Sequence, residues 1–289
     1  MRKFYVFTVS GKSLFLFLFS FIAVISLFFC RSLFSPETGP AAAAAEAAVG
    51  SAEEDPLEEG GKLAIVIDDF GSGRDGVNEM MSIKEHLTFA VIPFCANTLE
   101  DAEIAHGNGY EVIVHLSMEP NYGSRSWLAP KSILAGMGAE EVRQIVRESF
   151  DSVPYAAGAN IHMGSKASND AEIMSAVLDV IKEKGLYFVD SRTANKPKAK
   201  QLSMKKGVVC YERDVFLDGQ QPKSFIKGRL EKAAEMALKK GYAVAAGHVG
   251  QEGGKVTAEA IKEMLPEFKR RNIELVFVSE LNEAVSIEE

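Results

Sequence analysis

A chain of 289 residues holds one large domain or two ordinary ones, and 47% hydrophobic with 25% charged residues describes a globular rather than a disordered protein. The formal net charge of -8 and the lack of any Lys/Arg block argue against nucleic acid as a partner, since binding phosphate needs a basic stripe. The three cysteines show neither CxxC spacing nor a disulfide framework, so free thiols are expected at Cys95 and Cys210, a bridge between them being the alternative in an oxidising compartment.

Taken in order, Ser13 to Cys30 is an almost unbroken apolar run, long enough to cross a hydrocarbon core as a helix. Arg2, Lys3 and Lys12 precede it and only Arg31 follows closely, so the N-terminus is expected in the cytoplasm and the rest of the chain outside. Bulky Leu27-Phe28-Phe29-Cys30 offers no small-residue cleavage site, so residues 1–30 are read as an uncleaved anchor; cleavage would instead release a secreted protein. Residues 31–61 are rich in Pro, Ala, Gly and Glu, cannot bury a core, and read as a disordered tether.

From 62 to 289 apolar runs alternate with amphipathic stretches. The runs are Leu63 to Ile67, Thr88 to Pro93, Glu111 to Leu116, Ala159 to Met163, Leu186 to Val189, Gly207 to Tyr211, Tyr242 to Ala246 and Ile273 to Val278. Between them Val142, Ile145, Val146, Ser149 and Phe150 recur at helical spacing, as do Ile173, Ala176, Val177, Val180 and Ile181. Asn169 with Glu172 reads as a capping box, Gly185 as a helix-ending glycine, and Thr257 as the cap of the helix carrying Ile261. Repeated strand and helix imply a mainly parallel sheet covered by helices, and seven or eight strands without a dinucleotide fingerprint favour a closed or nearly closed (β/α) barrel.

In such a barrel the chemistry gathers at the C-terminal ends of the strands. There stand Asp68 and Asp69, His115 with Glu119, His162, Asp190 with Ser191, and His248; His86 and His106 fall elsewhere and read as surface residues. Adjacent residues on a strand point to opposite faces, so Asp68 and Asp69 share a site only where the backbone turns, and Gly71 and Gly73 supply a turn. Each residue alone has an ordinary explanation as a cap or a core histidine; their gathering at one rim does not. An Asp with two neutral imidazoles suits zinc, manganese, cobalt or nickel rather than calcium, and it leaves room to polarise a carbonyl and acidify water. A second carboxylate and a further histidine then serve as base and acid. The chain has no Gly-x-Ser-x-Gly elbow and no phosphate-cradling loop.

The residues Ile67-Asp68-Asp69-Phe70-Gly71, His115-Leu116-Ser117-Met118-Glu119-Pro120, Asn160-Ile161-His162-Met163-Gly164-Ser165, Phe188-Val189-Asp190-Ser191-Arg192-Thr193, Arg213-Asp214-Val215-Phe216-Leu217-Asp218 and Gly247-His248 resemble, in order, the divergent polysaccharide deacetylases of bacterial envelopes. The resemblance implies a distorted (β/α) barrel and metal-assisted removal of acetyl groups from an N-acetylated glycan. It suggests Asp68 as general base, Asp69, His115 and His162 as ligands of one divalent ion, zinc first, and His248 as general acid. Glu119 and Asp190 are expected in supporting or substrate-binding places. Better-studied deacetylases place two histidines four residues apart, where this chain has His115 and Glu119, so either His162 supplies the second imidazole or Glu119 itself binds. Their Arg-x-Pro motif is not recognisable, which leaves Arg192 or Arg213 to orient an Asp. Tyr122 and Trp127 either stack on sugar rings or pin their loop, and Asp214 and Asp218 either line the cleft or stabilise a turn. The expected setting is the inner membrane, single-pass, with the domain in the periplasm. The competing expectations are a barrel that binds glycan or an envelope partner without turnover, and a metal-dependent hydrolase of another amide or ester.

Overall fold

The apolar run at Leu63 folds as β1 (Gly61–Phe70), the strand on which the rest of the sheet is assembled. The computed structural model of the protein describes residues 60–281, apart from 195–196, 221 and 251. The expected anchor, residues 31–59 of the tether and residues 282–289 lie outside these. Gly61, read as the end of the tether, already belongs to β1. Among the described residues no helix is long and apolar enough to cross a membrane.

After β1 come α1 (Val77–Met80), β2 (Thr88–Val91), α2 (Thr98–Gly107), β3 (Glu111–Met118), α3 (Ala139–Ser152), β4 (Ala156–Met163), α4 (Ala171–Lys184) and β5 (Tyr187–Asp190). Then follow α5 (Ala199–Lys206), β6 (Cys210–Glu212), β7 (Val215–Phe216), α6 (Lys223–Lys240), β8 (Tyr242–His248), α7 (Gly254–Arg270) and β9 (Ile273–Val276). Every ladder is parallel, in the order β6-β5-β4-β3-β2-β1-β8-β7, with β9 on the first residues of β1. The sheet curls into the distorted (β/α) barrel expected from the alternation of elements. No ladder among the described residues joins β6 to β7; Arg213 and Asp214 carry the chain across, with their backbone N–H groups donating to Asp190 O (3.0 Å) and Val244 O (2.8 Å).

Alternation along the strands sorts side chains between two cores. Leu63, Ile65 and Ile67 pack outward under the helices, with Val112, Val114, Ala159, Ile161, Ala243 and Ala245. Ala64, Val66, Ile113 and Val244 point inward and join Tyr187, Tyr211, Val278 and Leu281 in a second cluster. By the same parity Asp68, His115, Asn160, His162 and His248 continue the inward rows toward the C-terminal rim.

The caps differ in detail from expectation. Gly185 does end α4, at φ 69°, but the N-cap is Asp170 rather than Asn169: its carboxylate accepts from the Glu172 and Ile173 N–H groups. A residue with extended backbone must precede the first turn, and Asp170 has it, whereas Asn169 ends a short 3₁₀ turn. Thr257 lies inside α7, fully buried, with its hydroxyl on Asp218 (2.8 Å).

Candidate metal centre

Asp69 follows Asp68 on β1 and in a regular strand would point outward. It instead adopts φ 72°, and the register against β2 slips between Ile67 and Phe70. This bulge swings the Asp69 carboxylate over the rim beside that of Asp68. The turn expected at Gly71 and Gly73 thus begins at Asp69 itself; Gly71 continues it at φ 91°, where a Cβ would stand 2.8 Å from Ile92 O. Met163 and Arg192 also hold left-handed backbone at the ends of β4 and β5. Such residues cost about 1–3 kcal/mol each and concentrate where geometry serves a site.

Asp69 Oδ1 lies 3.3 Å from His115 Nε2 and 3.0 Å from His162 Nδ1. One ligating atom from each of the three residues falls within 4.8 Å of the others. The outer nitrogens are committed. His115 Nδ1 meets Asn160 Oδ1 at 2.5 Å, and Asn160 Nδ2 donates to Asp68 Oδ1 at 2.7 Å. Since a carboxylate only accepts, the Asn160 amide must present its oxygen to His115, so His115 carries hydrogen on Nδ1. His162 Nε2 likewise faces the Trp127 carbonyl at 3.2 Å and must donate to it. Both imidazoles therefore keep the lone pair of the inner nitrogen for the space beside Asp69, which is how metal-binding histidines are oriented.

Asp69 Oδ1 is buried and has no hydrogen-bond partner, so the donor set fits a divalent ion. Burial opposes ionisation of Asp69, but the close approach of His115 and His162 outweighs it and holds the carboxyl far below the usual range. Burial also opposes charge on His115, yet Asp68 and Asp69 raise its pKa.

Asp68 stands beside His248 in the β1–β8 ladder, with Oδ2 3.9 Å from His248 Nε2. His248 Nδ1 is 2.8 Å from Asp218 Oδ1, while Asp218 Oδ2 accepts from the His248 backbone N–H (2.7 Å) and Thr257. Burial disfavours the imidazolium, but Asp218 overrides it, with help from Asp68 and Asp69, and pushes the pKa up to about 10. His248 is thus a proton donor at neutral pH.

Two adjoining hollows flank the centre. One, of about 380 Å³, is lined by Asp68, His115, Tyr122, Arg213, Phe216 and His248; the other, of about 480 Å³, by Cys95, Trp127 and Leu128; Asp69 and His162 border both. Tyr122 and Trp127 are 92% and 62% exposed and line one hollow each.

The structure therefore brings together Asp68, Asp69, His115, His162 and His248, and leaves Glu119 and Asp190 apart. Glu119 accepts from Lys166 Nζ (2.7 Å) and the Ala135 N–H (2.8 Å), tying loops together outside the triad. Asp190 shares parity with Phe188, which packs outward, so its carboxylate turns from the cleft and accepts from the Arg192 N–H at 2.8 Å. Arg192 lies 3.9 Å from Glu212. Asp214 binds the Val244 N–H and Lys240, steadying the crossing between β6 and β7. Cys95 and Cys210 are free. His86 and His106 stack on Phe277 and Tyr155. Asn160 belongs to one of the stretches that carry the family resemblance but has no expected role of its own, although its place two residues before His162 puts it on the same strand face.

A family model described as divergent polysaccharide deacetylase matches residues 65–282, and the chain belongs to that family. It is 33% identical over 207 residues to the uncharacterized protein YibQ of Escherichia coli, covering 72% of this chain and 64% of that one. An uncharacterized protein of Haemophilus influenzae is 30% identical over 187 residues, covering 65% of this chain and 66% of its own. The chain thus spans just under two thirds of the length of these curated relatives. The crystal structure of the uncharacterized protein ATU2773 from Agrobacterium tumefaciens has the same fold, with TM-score 0.71 and 21% identity over 77% of this chain and 89% of that one.

Proposed function

We propose that this protein is a metal-dependent hydrolase that removes acetyl groups from an N-acetylated envelope polysaccharide. The observation that carries the reading is the convergence of Asp69, His115 and His162, inner lone pairs free and outer nitrogens tied, beside a second carboxylate and an imidazole held by Asp218. Membership of the deacetylase family supports it. When bound, a divalent ion, zinc first by this mixed donor set, supplies Lewis acidity toward an acetamide carbonyl and lowers the pKa of water.

The remaining work falls to the chain's own residues. Asn160 holds Asp68 Oδ1, so Oδ2 is the oxygen turned toward His248 and suited to take a proton from the attacking water. His248, charged through Asp218, donates its Nε2 proton to the departing amine. Each group is held in place before substrate arrives, so no reorganisation is spent during the reaction. The apolar run Ser13 to Cys30 and its flanking charges support a further part of the proposal, that the domain is tethered outside the inner membrane.

Metal analysis of the full chain, paired with acetate release from N-acetylated oligosaccharides and peptidoglycan, tests the reading. The parent is expected to hold about one ion per chain. Asp68→Asn should keep it and lose roughly 10²–10⁴ in rate, whereas His162→Ala should lose the ion. An ion without acetate release would point to another amide or ester. Neither ion nor acetate, with glycan still bound, would make the barrel a binding module.

A further inference from the structure

Arg213 lines the hollow that holds Asp68 and His248 yet takes no part in the proton transfers proposed above. It follows the last residue of β6 and is firmly held. Its Nε donates to Ser191 O at 2.8 Å, its backbone N–H donates to Asp190 O at 3.0 Å, and its guanidinium carbon lies 5.0 Å from the centre of the Phe216 ring. These contacts leave the two Nη groups without an acceptor among the described residues.

No nearby carboxylate is hydrogen-bonded to these two groups among the described residues. Glu212 pairs with Lys200 at 2.5 Å and Arg192 at 3.9 Å, Asp214 binds Lys240 at 2.6 Å, and Asp218 is spent on His248 and Thr257. Asp190 turns to the outer face, and Asp68 is bonded to Asn160 with no ion pair to Arg213. Burial lowers the Arg213 pKa and the charges of Asp68 and Asp190 offset it only in part, so a half-buried guanidinium with no hydrogen-bonded carboxylate keeps some of its desolvation cost. Its planar fork matches a carboxylate through two parallel hydrogen bonds. Arg213 is the one Arg or Lys among the described residues lining the hollow, which also carries the acids Asp68 and Glu252, and that balance suits a monoanion better than a dianionic phosphate.

We propose that Arg213 forms a carboxylate-binding subsite, so that the glycan taken by this cleft is acidic, its carboxylate lying on the acetamide-bearing sugar or its immediate neighbour. The substrate class rests on the deacetylase reading; the subsite itself does not. N-acetylglucosamine and N-acetylmuramic acid differ by one carboxylate-bearing ether, and N-acetylglucosamine 6-phosphate supplies a dianion. Calorimetry of the three sugars on the full chain should show N-acetylmuramic acid bound about tenfold more tightly than either other. Arg213→Met should abolish that preference and Arg213→Lys should restore part of it, with melting curves confirming that both variants fold. Equal binding of the sugars, binding of none of them, preference for the phosphate, or a preference that survives Arg213→Met would overturn the proposal. Acetate release measured in parallel separates the two claims. Preference without acetate keeps the subsite and ends the deacetylase reading, while acetate without preference does the reverse.

Discussion

The two ends of this barrel each bury a carboxylate, and they treat it in opposite ways. At the floor, Glu111 Oε1 accepts from Thr88 Oγ1 (2.8 Å), Tyr187 OH (2.7 Å) and the Val278 N–H (3.0 Å), which brings the turn Val278–Leu281 under the strands as a plug. At the rim, Asp69 Oδ1 is equally hidden but has only two imidazoles beside it, their lone pairs turned the same way as its own. Glu111 and His115 share one inward row of β3, four residues or roughly 13 Å apart. A carboxylate surrounded by donors holds a fold together; one beside lone pairs offers a place for the cation proposed above. That contrast separates structure from site more sharply than burial does.

The harshest way to break it is Asp69→Asn, which keeps the shape and removes the charge at the rim. Metal retained after dialysis should vanish, and acetate release should fall by more than about 10³-fold. At the floor Glu111→Ala should do the converse, leaving metal content intact while lowering unfolding free energy by about 3 kcal/mol in a denaturant titration, because buried donors lose their acceptor. Asn160→Leu is milder and tests the tautomer argument. With His115 no longer held through Nδ1, metal affinity by competitive chelation should weaken roughly 10–100-fold.

The smallest effect concerns pH. His248 has a folded pKa of about 10, above the 6.5 of an unperturbed imidazole. Its contribution to stability is therefore complete below pH 6.5 and is lost as pH rises toward 10. Asp218→Asn should flatten that decline and move the alkaline limb of the rate profile down by about one unit or more. An unchanged limb would mean that another group donates the proton.

Much of this was legible in the sequence, and the reason is geometric. Short apolar runs mark strands, and polar residues at their ends mark a rim, which is how Asp68, Asp69, His115, His162 and His248 came together. Parity separates Asp68 from Asp69 in the sequence, and the same rule extends to β5. Phe188 and Asp190 lie on one face, so an outward Phe188 already implied an outward Asp190. Glu119 was drawn toward the metal by its spacing from His115, but it lies beyond the last residue of β3, where alternation no longer governs. The two-residue β7 is too short to leave a periodic trace, and the pairing of Asp218 with His248 depends on where that strand delivers the chain. Asn160 carries neither charge nor imidazole to draw notice, although it links His115 to Asp68.

Trp127 is the only tryptophan in the chain, and its carbonyl is the group that holds His162. The indole thus rides on the same short 3₁₀ turn that sets a ligand's orientation. On the proposed reading, filling and emptying the centre would bear on one backbone segment with one fluorophore, making Trp127 emission a label-free reporter of occupancy.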